Sequence, residues 1–120
     1  MRLSSKNLET SKTAIIKYLE GNGLKCNSSI KGDLSLKTLK IEILNTGYTI
    51  IMFNGDCEAC FGIKKNDDVV CDVIIENIKN EYDVSFSRFV EMELDKIIAL
   101  QKDACNGKEY ITDTETIENV

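Results

Sequence analysis

The stretch whose reading decides the fold is LSLKTLKIEILNTGYTIIMFNGDCEACFGIK, Leu34 to Lys64. It reads as three antiparallel strands joined by two short turns. Asn45-Thr46-Gly47 fits a three-residue hairpin loop with glycine in the left-handed position, and Asn54-Gly55 is the favoured pair for a type I′ turn. Tyr48 to Phe53 is the most β-prone run of the chain and is apolar on both faces, which predicts a central strand. The returning strand, Cys57 to Lys64, sets Cys57, Ala59, Phe61 and Ile63 on one face and Glu58, Cys60, Gly62 and Lys64 on the other. Leu34 to Leu44 is expected to run as one long strand. Its apolar residues change phase between Leu36 and Leu39, which calls for a bulge or for burial of both faces in different regions, with the break near Lys37-Thr38.

Upstream, Leu8, Ser11, Ile15 and Leu19 recur at helical spacing, so a helix is expected from about Ser5 to Glu20, capped by Ser4 or Ser5 and stopped at Gly21. Leu24 to Ile30 reads as a weak strand, joined to the next by a tight turn at Lys31-Gly32-Asp33. Downstream, Asn66-Asp67-Asp68 is expected to cap a helix. Val70, Val73, Ile74, Asn77 and Ile78 fall on one stripe at spacings of three and four, against the β preference of the branched residues. Ser85 caps a further helix from Phe86 to Cys105, with Asn106-Gly107 as its stop. The expected fold class is α+β: an antiparallel β-meander of about four strands, with an N-terminal helix and two C-terminal helices packed on the sheet.

With 120 residues and no proline, the chain is read as a single compact domain over 1–107 followed by an acidic C-terminal tail over 108–120. No apolar run approaches the roughly 20 residues of a membrane span, and Met1 to Lys6 lacks the apolar core of a secretory signal. Five cysteines, an odd count, argue against a disulfide framework and for a cytoplasmic protein. Histidine is absent, which removes Ser-His-Asp and Cys-His nucleophile pairs, imidazole acid–base chemistry and every histidine-containing metal site. No glycine-rich phosphate loop is present either. A non-enzymatic protein without a cofactor is therefore expected.

Cys57-Glu58-Ala59-Cys60 is the one arrangement that resembles a chemical motif. Its spacing suits half of a zinc site, but a closed site needs two more ligands, and Cys26, Cys71 and Cys105 stand alone in the sequence. As a redox dithiol it lacks a following helix N-terminus to acidify the attacking thiol. Cys57 and Cys60 are thus weak metal candidates, better read as small apolar residues on opposite faces of a strand.

The charge is uneven. Residues 1–55 hold eight bases and four acids, net +4, while residues 56–120 hold seven bases and sixteen acids, net −9. Asp68, Asp72 and Glu76 recur every fourth residue, so a helix there would carry an acidic stripe, continued by Asp83 and, on the last helix, by Glu91 and Asp95. A solvated face is the plain reading of such a stripe. The functional one is a partner-binding surface facing a larger protein with a basic surface, such as a nucleic-acid-binding complex. Small acidic proteins without chemistry often serve as stoichiometric inhibitors or regulators, including the anti-CRISPR-like and antitoxin-like proteins of phages and mobile elements; that parallel is one of class only. The alternative is a nucleic-acid-associated regulator using Lys25, Lys31, Lys37 and Lys40, with Tyr48 and Phe53 nearby. An open sheet edge or face would also allow a homo-oligomer.

Overall fold

The computed structural model describes residues 2–33, 36–56 and 58–111, with the backbone alone from 105 onward. The elements are α1 (Ser5–Gly21), β1 (Cys26–Lys31), β2 (Thr38–Ile43), β3 (Tyr48–Asn54), β4 (Ala59–Lys65), β5 (Asp68–Ile74), a 3-10 turn at Ile75–Asn77, α2 (Ile78–Tyr82) and α3 (Phe86–Ile111). The five strands form one antiparallel meander in the order β1-β2-β3-β4-β5, with the predicted central strand at its centre. The fold is α+β, with one strand more than expected.

Helix α1 begins where the sequence places it. Ser4 Oγ accepts from the Asn7 amide, and Asn7 Oδ1 accepts from the Ser4 amide, so two amides left over by the helix start are satisfied reciprocally. The chain leaves the helix through Gly23, at φ +85°, rather than through Gly21. Leu8, Ile15 and Leu19 form the buried stripe of α1, which lies against β1 and β2. On the sheet, Leu39, Ile41 and Ile43 of β2, Ile50 and Met52 of β3, and Ala59, Phe61 and Ile63 of β4 are buried on one face. Phe61 anchors that face and meets Phe86 and Phe89 edge-on.

Contacts divide the chain into a first unit that ends at Phe89 and a second that starts at Val90. The described residues of the second unit are the remainder of α3, where Val90, Leu94, Ile97 and Ile98 make one buried stripe at helical spacing.

Several sequence expectations are corrected. The strand predicted over Leu34 to Leu44 begins only at Thr38. Leu36 lies outside the strand, and the phase set by Leu39, Ile41 and Ile43 runs through it without a bulge. Leu34 and Ser35 lie outside the described residues; next to them the Leu36 amide donates to the Asp33 carbonyl at 2.8 Å. Gly32 is required there, at φ +109°, because a Cβ would stand 2.6 Å from the Leu36 carbonyl oxygen. Asn54 is the last residue of β3, paired with Ala59, so Asn54-Gly55 is not a two-residue turn. Helix α3 also continues through Asn106-Gly107 to Ile111; a glycine inside a helix costs only about 1 kcal/mol, which neighbouring turns absorb.

The largest correction is β5. Residues 68–74 form an edge strand, not a helix. A two-residue turn, Asn66-Asp67, folds it back on β4, with Asn66 in the left-handed region at φ +54°. The β preference of Val69, Val70, Val73 and Ile74 wins over the helical spacing, because β4 offers a ladder partner to every residue of the strand but Val70.

Candidate functional site

The register of β5 sets the geometry of the candidate site. Lys65 pairs with Asp68 and Lys64 with Val69, but Ile63 pairs with Cys71 and Gly62 with Asp72. Val70 therefore opposes no residue of β4: it is the extra residue of a β-bulge. Without the bulge, Asp68 and Asp72 would share a face, being four residues apart. One inserted residue reverses the parity. Asp72 and Val69 lie on the sheet face that carries Ile51 and Gly62, and Asp68 lies on the face that carries the core. The predicted acidic helical row is therefore not formed by Asp68 and Asp72, which bracket an edge strand from its two sides.

That edge is exposed. Val69 is 61% and Val70 55% accessible, and Asp68 and Asp72 are exposed beside them. Among the described residues no strand pairs with the far side of β5. The remaining predicted acids lie elsewhere. Glu76 is exposed in the 3-10 turn, and Asp83 occupies the left-handed cap after α2, 3.3 Å from Lys79 Nζ. On α3, Glu91 is half-buried and Asp95 exposed.

No family model, curated protein or solved structure matches the chain. Its functional reading rests on its own residues. Among the described residues no helix is long and apolar enough to cross a membrane.

A second feature lies at the opposite side of the sheet. The register brings Asn27, Ser29 and Lys31 of β1 beside Glu42, Lys40 and Thr38 of β2, on the face away from the core. These residues line a shallow groove of about 530 Å³. Its neighbours on β3 are the half-buried Ile51 and Phe53, which pair with Lys40 and Thr38. Of the predicted basic residues, Lys31 and Lys40 are thus brought together, and Phe53 joins them. Tyr48 is not part of this face: its ring lies 4.6 Å beneath Lys65 Nζ, near the β2–β3 turn. Lys40 is shared with Glu42 at 3.7 Å, an exposed pair of small energetic weight.

Of the two candidate metal-binding cysteines, Cys57 lies outside the described residues. Cys60 is half-buried on the face of Ile51 and Phe53, within the field of Asp72 and Glu58. Burial pushes its thiol above the ordinary range, and the two carboxylates push it further, against a lowering hydrogen bond with the Gly55 backbone. Cys26 is raised for the same first reason, with Glu20 adding to it. A raised thiol is protonated at neutral pH, so it is a poor nucleophile and a poor metal ligand. Among the described residues no three Cys, Asp or Glu side chains stand together as a metal site would need. Alkylation of Cys60 by iodoacetamide is expected to be slow at pH 7 and to accelerate only above the pH at which a free thiol does. Asp72→Asn removes one carboxylate field, lowers the Cys60 pKa and shifts that acceleration to lower pH; peptide mapping of labelling rate against pH checks it.

Proposed function

We propose that this protein is a non-enzymatic binding module, a cytoplasmic inhibitor or regulator that acts by occupying a basic surface of a larger protein. The observation that carries this reading is the exposed β5 edge, where two accessible valines are bracketed by Asp68 and Asp72. Each valine offers apolar area whose full burial is worth about 1.5–3 kcal/mol. The flanking carboxylates favour partners of opposite sign and raise the rate of encounter more than they raise affinity. The net −9 of residues 56–120 adds to that steering.

The test uses the tagged protein as bait in a lysate of its source. A one-to-one complex is expected by native mass spectrometry, weakening as salt rises. Reversal of both acids, Asp68→Lys with Asp72→Lys, is expected to weaken it by roughly tenfold or more, the order measured for close interfacial charge pairs. A double variant that retains the same partner with unchanged affinity removes the acidic-edge reading.

The groove on β1 and β2 supports a second reading, a single-stranded nucleic acid laid across Lys31, Lys40 and Phe53. Lysines would meet phosphates and the ring a base, the combination single-strand binding uses. Binding would fall steeply with salt. A gel shift at low salt with a mixed-sequence oligonucleotide decides it, and absence of any shift ends this reading.

A further inference from the structure

Resting on the partner-binding reading, we infer that the occupant of the β5 edge is an extended segment of the partner that adds to the sheet as a sixth strand and carries two basic residues three positions apart. The edge is open: β5 is last in the strand order, and its far side has no strand partner among the described residues. Main-chain amides and carbonyls along such an edge form a template for another strand. The two edges of the sheet differ. β1 presents Asn27, Ser28, Ser29 and Lys31, a polar edge, whereas β5 exposes Val69 and Val70.

Charge chooses the occupant. A second copy of β5, paired antiparallel about Val70, would set Asp68 of each chain opposite Asp72 of the other. Like charges directly opposite destabilise a strand pair. The acids therefore guard the edge against self-pairing while favouring a basic strand.

The spacing follows from the bulge. On β4, which has no inserted residue, the positions opposite Asp68 and Asp72 are Lys65 and Gly62, three residues apart. A regular strand on the far side spans the same length, so the residues facing the two acids are also three apart and point to opposite faces. Even spacing would put both basic residues on one face, within reach of only one acid.

The probes are capped synthetic peptides of about eight residues, built from valine and threonine with two lysines. One places the lysines three apart, one four apart, and one repeats the first with alternate backbone amides N-methylated. Binding to the full-length protein is followed by amide chemical shifts and hydrogen exchange. The three-apart peptide is expected to bind roughly two- to fivefold tighter than the four-apart one, as the one additional cross-strand charge pair implies. Protection is expected to rise along 68–74, and N-methylation should abolish binding.

Equal binding of the N-methylated peptide, or protection confined to another element, would overturn strand addition. Equal binding of the two spacings would overturn the bulge-set register. Concentration-dependent self-association through β5, seen by sedimentation, would make a second copy the occupant instead. These outcomes are separable from the parent reading. A protein partner whose capture depends on Asp68 and Asp72, with no peptide pairing on β5, sinks this inference and leaves that reading standing; failure to capture any protein sinks the reading itself.

Discussion

Phe61→Ala is expected to destabilise the protein by about 3–5 kcal/mol, the range for removing a buried phenylalanine. Phe61 is fully buried on β4, flanked across the ladder by Met52 of β3 and Val73 of β5. Its ring meets Phe86 at 5.8 Å and Phe89 at 6.2 Å, both near perpendicular. Each edge-to-face contact adds about 0.5–1.5 kcal/mol beyond area burial. Truncation leaves a cavity walled by strands on two sides, where the ladder prevents collapse, so the upper half of the range applies. A domain of this size has a total stability of about 5–15 kcal/mol. The variant is therefore expected to unfold at much lower urea concentration with an unchanged slope, measured by equilibrium denaturation. Phe53→Ala serves as the contrast. Phe53 is half-buried on the opposite sheet face, and its loss is expected to cost less than half as much. Equal midpoints for the two variants would mean that Phe61 does not anchor the core.

The alternation in Leu39-Lys40-Ile41-Glu42-Ile43 was enough to place β2, and the same period placed Phe61 and Ile63 on the buried face of β4. Period-two patterns survive into the structure wherever a strand has one wet face. β5 defeats that logic for a physical reason. Its bulge inserts Val70, and the inserted residue turns a period of two into spacings of three and four that imitate a helix. The β-branched content of Val69-Val70 and Val73-Ile74-Ile75 was the signal that remained.

The candidate site was legible only in part for the same reason. That Asp68 and Asp72 are exposed follows from their type alone. Which face each occupies depends on parity, and parity is set by a bulge that no local rule announces. The groove of Lys31 and Lys40 is a milder case. The two lysines lie nine positions apart in sequence, and it is the β1–β2 register that brings them to one face. Glu42 and Ser29 complete that groove, and neither carries a sequence signal that would have nominated it.

Asn54→Ala is expected to cost about 2–6 kcal/mol, because it strands two buried backbone groups at about 1–3 kcal/mol for each unsatisfied group. Asn54 Oδ1 accepts from the Leu3 amide at 2.7 Å, and its Nδ2 donates to the Leu3 carbonyl at 3.0 Å. The side-chain amide thus pairs with residue 3 as a neighbouring strand would, and holds buried Leu3 beside the end of β3. Arg2 adds a second tie through the Gly55 and Asp56 carbonyls, at 2.9 and 3.1 Å. Asn-Gly is a strong local turn signal, but the chain uses the asparagine for a tertiary bond across 51 positions, which local pattern does not encode. If the stretch before α1 peels away in the variant, water satisfies Leu3 and the cost falls to the burial lost by one leucine, about 1.5–3 kcal/mol. Hydrogen exchange separates the two outcomes: a strained but docked segment keeps the Leu3 amide protected, whereas a released one exchanges freely with β3 intact. Asn54→Asp isolates the halves of the clamp. It keeps an acceptor for the Leu3 amide and, once ionised, removes the donor to the Leu3 carbonyl, and its buried carboxylate is expected to make stability fall as pH rises from about 4, the unfolded aspartate value, toward the folded-state pKa that burial raises above it. A flat pH profile in that variant, together with a wild-type denaturation midpoint for Asn54→Ala, would show that Leu3 is held by packing alone.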